Sequence, residues 1–224
     1  MNQALEYALS RRSRERIALP VSDPDWKALR PRGLYWLLGR PLLNGVLLVV
    51  SLPVVALLVV PIGLCVALSV GGLGKVLFIQ ERVGRRGRRF RLYKFRTMRD
   101  THRDLFSSWS EGDRGRTTRL GSLLRRSHLD ELPQILNILR GEMTFIGPRP
   151  EMVETHRFAL AHIPEFERRL TLRPGLTGLA QVTVGYTGSD PDAYRAKFQA
   201  DEEYRLSFSL GQDLQVLWNT PGRT

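Results

Sequence analysis

The feature that most restricts this chain is the stretch from Leu42 to Val70, 29 residues without a charge. The uncharged window extends from Pro41 to Gly74, between Arg40 and Lys75. About 20 apolar residues cross a bilayer as a helix, so the run predicts a membrane segment. It starts too far into the chain and is too long for the apolar core of a signal peptide, and a basic region follows it, so cleavage is not expected. Cytoplasmic flanks of membrane helices are rich in Lys and Arg, and here both flanks are basic. Upstream stand Arg11, Arg12, Arg14, Arg16, Lys27, Arg30, Arg32 and Arg40 against four acids; downstream come Lys75 and, from Arg82 to Arg99, nine Lys or Arg with no acid. A simple crossing leaves one of these sets on the wrong side. Pro53 and Pro61, with Ser51 and Gly63 beside them, interrupt the run, and proline removes a backbone hydrogen bond and kinks a helix. A bent re-entrant helix-hairpin that returns to the face it entered satisfies both flanks and is the expected form. A tilted crossing is the alternative, and either proline can make the bend.

The length of 224 residues fits one compact domain with appendages. With 34 basic and 22 acidic side chains the formal charge is +12, which predicts a polyanionic partner: nucleic acid, anionic lipid or a phosphorylated substrate. Cys65 is the one cysteine, which excludes an intramolecular disulfide and a Cys-cluster zinc site. It is expected to pack as a small hydrophobe. His102, His128, His156 and His162 lack zinc spacing, and "GGLGKV" lacks the first Gly and the final Ser/Thr of a phosphate-binding loop.

The predicted fold class is α+β, mostly helical, a single membrane-associated domain with a small β-hairpin. Residues 1–40 form a basic arm and interfacial segment, where Tyr35 and Trp36 beside Arg30, Arg32 and Arg40 suit a bilayer boundary. Residues 41–74 are the membrane segment, and residues 75–224 a catalytic domain with interfacial helices. Strand composition at Val76–Gln80 and Phe90–Phe95, around the turn "GRRGR", predicts the hairpin. Helical spacing begins near Thr118 and runs through "LGSLLRRS" and "PQILNILRG", with Gly141 as a C-cap. "MTFIGPRPEM" reads as a strand-like step into a loop, "EMVETHRFALAHI" as a helix, and "RPGLTGLAQVTVGYTG" as loop with one short strand. Ser189 or Asp190 caps a helix opened by Pro191, and "LGQDLQVLWNT" is an amphipathic close bearing Trp218.

The chemistry centres on "RRSHLDELPQI", which places Asp130 and Glu131 side by side among Arg119, Arg125 and Arg126. One reading is structural: Ser127 with Asp130 three residues on fits a helix cap, Pro133 fits a first turn, and Asp130 suits the helix dipole. The other is catalytic. A carboxylate can attack phosphorus or carbon and form a covalent intermediate, a second can bind Mg²⁺ together with substrate phosphates, and the arginines neutralise what remains. Spacing alone leaves both open.

"FIQERVGRRGRRFRLYKFRTM", "RLGSLLRRSHLDELPQILNILRGEMTFIGPRP" and "LRPGLTGLAQV" occur in the order and character of the bacterial sugar transferase family, the monotopic phosphoglycosyl transferases. The chain resembles that family over about residues 40 to 220, and "KFRTM", "LDELPQ", "GPRP" and "PGLTG" in that order are very specific. The resemblance implies transfer of a phosphosugar from a nucleotide diphosphosugar, usually a UDP-sugar, to polyprenyl phosphate, with UMP released from a UDP donor. It implies that Asp130 is the nucleophile, forming an aspartyl-phosphosugar, and that Glu131 is its partner in holding Mg²⁺. Arg149 of "GPRP" is then the phosphate-holding arginine, Arg125 contacts the donor, and Lys94 and Arg96 of "KFRTM" are further phosphate contacts. It also implies a re-entrant membrane helix bent at a proline, work on membrane lipid at the cytoplasmic face of the bacterial inner membrane, and the first step of exopolysaccharide, O-antigen (lipopolysaccharide) or glycoprotein glycan assembly. With no multi-span region ahead of the apolar run, the chain is expected to be a minimal member. A homodimer is compatible with the sequence. His128 replaces the usual Ser, and "LAQVTVGYTG" departs from the family after "PGLTG", so the sugar is not transferred by analogy. The competing reading, a membrane-anchored nucleic-acid binder using "GRRGRRFRLYKFR", leaves the acid pair and the apolar run unexplained, so no nucleic-acid partner is expected.

Overall fold

The computed structural model of the protein describes residues 25–99, 116–185, 188 and 190–220. The basic arm before residue 25, His102 and Ser189 lie outside them. The described elements are mostly helical with two two-stranded sheets, as the α+β class requires.

The apolar run forms helix α1, Arg40–Val70, entered through a π-helical turn at Tyr35–Gly39 and closed by Gly71 in the left-handed conformation. Pro53 and Pro61 stand inside this continuous helix. The expected hairpin is therefore one unbroken helix: each proline forfeits a hydrogen bond without ending it, and both are exposed on the side away from the domain. A bond missing on the outer side favours curvature around the core over a reversal. The inner face of α1 packs on the rest of the chain along its length, through Leu43 near the start, Leu48, Leu52 and Val55 in the middle, and Val59, Ile62, Val66 and Val70 towards the end. Its outer face is as apolar: Leu42, Val46, Val49, Val50, Val54, Leu57, Val60, Leu64 and Leu68 are each more than half exposed. Cys65 shares that outer face and is exposed, which corrects the expected core packing; the helical phase turns it out beside Leu64 and Leu68.

The hairpin is β1, Leu77–Val83, antiparallel to β2, Arg89–Phe95, with Phe78 opposite Lys94, Gln80 opposite Leu92 and Arg82 opposite Phe90. Partners directly opposite share a face, so these six side chains line one side. There Phe90 and Leu92 pack with Ile135, Ile138 and Met143, and with Leu48, Leu52 and Val55 of α1. Phe90 and Phe95 are core residues, so two of the three aromatics that a nucleic-acid surface would use for stacking are spent on packing.

Helix α2, Arg119–Arg126, is capped by Thr118, whose hydroxyl accepts from the Gly121 amide at 2.8 Å. A side chain at Gly121 would overlap the Thr97 backbone, on which the helix sits. After it come a 3-10 helix, Leu129–Gln134, and α3, Ile135–Leu139, followed by Gly141 at φ +70° as expected. β3, Thr144–Ile146, pairs in parallel with β4, Gly175–Thr177. Helix α4, Val153–His162, and a 3-10 helix, Pro164–Thr171, lie between them. Helix α5, Leu179–Thr183, occupies part of the segment expected to be loop, with Ala180 and Val182 buried. Asp190 caps α6, Pro191–Leu206, and Ser209 caps α7, Leu210–Asn219.

Three of the residues expected at the bilayer boundary, Tyr35, Trp36 and Arg40, turn inward, while Arg32 is exposed. The hydroxyls of Tyr35 and Tyr204 both donate to buried Asp213. Trp36 meets Phe208 edge-on at 5.2 Å, and the Arg40 guanidinium lies 4.6 Å over the Phe208 ring while donating to the Ile146 carbonyl. Arg40 is thus buried: the aromatic faces and a main-chain carbonyl supply what water would.

Candidate active site

Asp130 and Glu131 occupy the first turn of the 3-10 helix Leu129–Gln134. Ser127 does not cap it: the Ser127 hydroxyl donates back to the Leu123 carbonyl at 2.9 Å and closes α2 instead. The reversal falls on His128, exposed and left-handed at φ +56°, which turns both acids towards the hairpin. Buried Asn137 of α3 then fixes this segment against β2, accepting from the Tyr93 amide at 3.2 Å and donating to the Arg91 carbonyl at 2.6 Å. Lys94 lies on the same β2 face as Phe90 and Leu92, a core-facing position, and so reaches the acid pair.

The two neighbouring acids are treated in opposite ways. Glu131 Oε1 accepts from Lys94 Nζ at 2.6 Å and from Arg149 Nη2 at 2.9 Å. Burial alone would raise its pKa, but the charges and hydrogen bonds of Arg149 and Lys94 hold it well below the usual carboxylate range. The Asp130 carboxylate has no hydrogen-bond partner among the described residues, and Asp130 is 8% exposed. Burial pushes its pKa up; Glu131 adds to the rise, and Lys94, Arg125 and Arg149 oppose it. The adjoining cation feels the same burial: the Lys94 pKa is lowered by desolvation and by Arg149, against the pull of both acids.

The structure therefore brings together Asp130, Glu131, Lys94 and Arg149, with Arg125 close enough to act on Asp130 while its Nε donates to the Thr97 hydroxyl at 2.8 Å. Arg96, just beyond the end of β2, is directed elsewhere: its Nε donates to the Lys75 carbonyl at 2.9 Å.

Sequence reasoning missed a further group of charges behind these residues. Glu151 accepts from Lys197 and lies 3.6 Å from Arg169, whose Nε donates to Asp201 at 2.7 Å. Lys197 and then Arg169 bring the Glu151 pKa down to about 2 against the effect of burial. Arg82 lies near Arg149, Glu151 and Glu131, its pKa lowered to about 10 by burial and then by Arg149. Lys197 and Asp201 sit four apart on α6, a spacing that reads as a solvated helix pair, so nothing in the sequence turned them inward. Arg82 had a signal: with the hairpin register set, it stands opposite Phe90 on the core side. Counting Lys94, Arg125, Arg149, Arg82, Arg169 and Lys197 against Asp130, Glu131, Glu151 and Asp201, six cations face four carboxylates.

Fold and site together define a class: a helical domain built along one apolar helix, with a carboxylate pair set in an excess of positive charge. Residues 38–224 match the family model described as bacterial sugar transferase, and the chain belongs to that family. Among its relatives is the UDP-glucose:undecaprenyl-phosphate glucose-1-phosphate transferase of Caulobacter vibrioides, 38% identical over 197 residues, covering 86% of this chain and 73% of the relative. The UDP-N-acetylgalactosamine-undecaprenyl-phosphate N-acetylgalactosaminephosphotransferase of Aeromonas hydrophila is 40% identical over 147 residues, 66% of this chain and 34% of the relative. A second UDP-glucose:undecaprenyl-phosphate glucose-1-phosphate transferase, from Xanthomonas campestris pv. campestris, is 34% identical over 221 residues, 95% of this chain and 44% of the relative. The chain thus spans less than half the length of two of these three relatives.

Proposed function

We propose that this protein is a phosphoglycosyl transferase that moves a sugar phosphate from a UDP-sugar to undecaprenyl phosphate at the cytoplasmic face of the inner membrane. The observation that carries the chemistry is the unequal state of the acid pair. Glu131 is fixed as an anion by two cations. Asp130, beside it, makes no hydrogen bond among the described residues and sits in a desolvated pocket, where a carboxylate is a stronger nucleophile than in water. Two surplus positive charges suit an incoming diphosphate.

In the reaction, an Asp130 oxygen attacks the β-phosphorus and the bond from that phosphorus to the bridging oxygen breaks. UMP leaves with the bridging oxygen, and Asp130 carries the phosphosugar. An oxygen of undecaprenyl phosphate then attacks the same phosphorus, the bond to Asp130 breaks, and the carboxylate returns. Arg149 and Lys94 hold the transferring phosphate while anchored by Glu131, and Arg125 neutralises the lipid or donor phosphate. The oxygen donors fit Mg²⁺: two carboxylates with Asp130 unengaged, where Mg²⁺ characteristically takes one or two carboxylates plus substrate phosphates. Bound by Asp130 and Glu131, the ion would supply charge neutralisation on the diphosphate.

The membrane arrangement rests on α1. Both ends and the middle of its inner face pack on the same domain, so a crossing that carried one end about 30 Å away would strip that packing. A seat in one leaflet, with the outer apolar face of the unbroken helix in lipid and the domain on one side, keeps it. It also places the site where an acceptor with its tail in lipid can present its phosphate. The test is UMP release from UDP-sugars with undecaprenyl phosphate in detergent or nanodiscs. Wild type is expected to turn over one or more donors in a Mg²⁺-dependent way, and donor alone to leave a phosphosugar mass on Asp130. Turnover that persists in Asp130→Asn removes the proposed chemistry.

A further inference from the structure

The loop that carries Arg149 is held from outside at every residue. The Gly147 amide donates to the Thr177 carbonyl at 2.8 Å, and the Pro148 carbonyl accepts from the Gly175 amide at 3.0 Å. The Arg149 carbonyl accepts from Arg169 Nη2 at 2.9 Å, the Pro150 carbonyl from Arg82 Nη1 at 3.1 Å, and the Glu151 carbonyl from the Val83 amide at 2.9 Å. Physical necessity lies behind this. Pro148 and Pro150 have no N–H, so two of the loop's residues can be anchored only as acceptors, and donors must come from elsewhere. Gly147, Gly175 and Gly178 make the approach possible, since a side chain at any of them would strike the backbone of the neighbouring loop.

Two of those donors are arginines, Arg169 buried and Arg82 half-buried, and Arg82 is the unexpected one. It makes no ion pair among the described residues, and it lies close to the like charge of Arg149. Its Nη1 and Nη2 are committed to Pro150 and Gln80, and its Nε is buried without a partner. Each Nη therefore spends a hydrogen on the protein, and the bond to Pro150 ties the guanidinium to the residue that follows Arg149. We infer that Arg82 is a positioning residue: it holds the Pro150 carbonyl and so aims the Arg149 side chain at the phosphate, without touching the phosphate itself. This rests on Arg149 being a phosphate ligand, as proposed above.

The test is a double-mutant cycle on the full chain in nanodiscs, with inorganic diphosphate as the probe and its Kd read by calorimetry. Arg82→Met is expected to weaken diphosphate binding about 10-fold, the size of one charge-assisted interaction. In an Arg149→Met background the same change is expected to have an effect below about 2-fold, because the residue it positions is gone. Arg82→Lys, which keeps one donor for Pro150, is expected to recover most of the affinity, and it separates positioning from misfolding. With a UDP-sugar, Arg82→Met is expected to raise KM more than it lowers kcat. Additive effects in the cycle mean that Arg82 contacts the phosphate directly and overturn the inference, as does unchanged binding in Arg82→Met. Wild-type protein that binds no diphosphate removes both the functional reading and this inference.

Discussion

At the scale of single residues, the acid pair separates a group that stabilises the fold from a group held ready at a cost to it. Glu131 neutralises two half-buried cations, and removing the acceptor they share costs about 1–3 kcal/mol. Glu131→Gln is therefore expected to lower thermal stability sharply along with activity. Asp130 gives up no hydrogen bond on conversion to Asn, and its raised pKa means that the folded state disfavours its charge. Asp130→Asn is expected to melt at or above the wild-type temperature while transfer is abolished. Melting curves in detergent, set beside UMP release for the two variants, decide it; equal destabilisation by both would mean that Asp130 is a structural anion. The pair was visible in the sequence because two acids among arginines stand out. Which of the two was anchored was not visible, because the anchors arrive from β2, some 37 residues away at Lys94, and from the loop at Arg149.

At the scale of elements, local signals carried far and pairing signals did not. The hairpin, the helix capped at Thr118, the Gly141 stop and the Asp190–Pro191 start were legible because turn and cap residues act over three or four positions. The parallel pairing of β3 with β4 was not, since both are three residues long and Thr144 meets Gly175 across 31 positions of chain. The inward turn of Arg40 and Tyr35 was missed for a related reason: their partners Phe208 and Asp213 lie near the other end of the chain. Helix α1 was the clearest element, yet its two apolar faces are distinguishable only once the packing is known, and that difference is testable. Leu57 lies on the outer face at 75% exposure. If lipid covers that face, Leu57→Lys places a charge in hydrocarbon at a cost of roughly 2.5–3.5 kcal/mol. It is expected to shift the protein from the carbonate-resistant membrane fraction towards the extractable one. If water covered the face, the same substitution would leave fractionation unchanged.

At the scale of the whole molecule, the buried charges make stability depend on pH, and the sign can be worked out group by group. His156 is completely buried, neither ring nitrogen has a partner among the described residues, and its ring lies 5.7 Å from that of Phe166. Burial, and then the charge of Arg169, lower its pKa from 6.5 to about 4, with Glu151 opposing. The unfolded chain therefore binds this proton first. His156 contributes its full stability above about pH 6.5 and loses it as the pH falls towards 4, a change of about 3 kcal/mol over that window. Glu151, depressed to about 2, contributes fully above its ordinary value of 4.5 and loses that contribution as the pH falls towards 2. Asp130 and Asp201 have raised pKa values and work in the opposite direction, which softens the acid limb without removing it. The expected profile has two stages: a decline between about pH 6.5 and 4 owed to His156, and a further loss below about 4.5 as the Glu151 network is protonated. His156→Phe has no proton to take up and is expected to flatten the first stage while keeping the second. Melting temperatures of wild type and variant from pH 7.5 to 2.5 check it, and a decline of equal slope in both between pH 6.5 and 4 would place the acid sensitivity outside the helix α4 core.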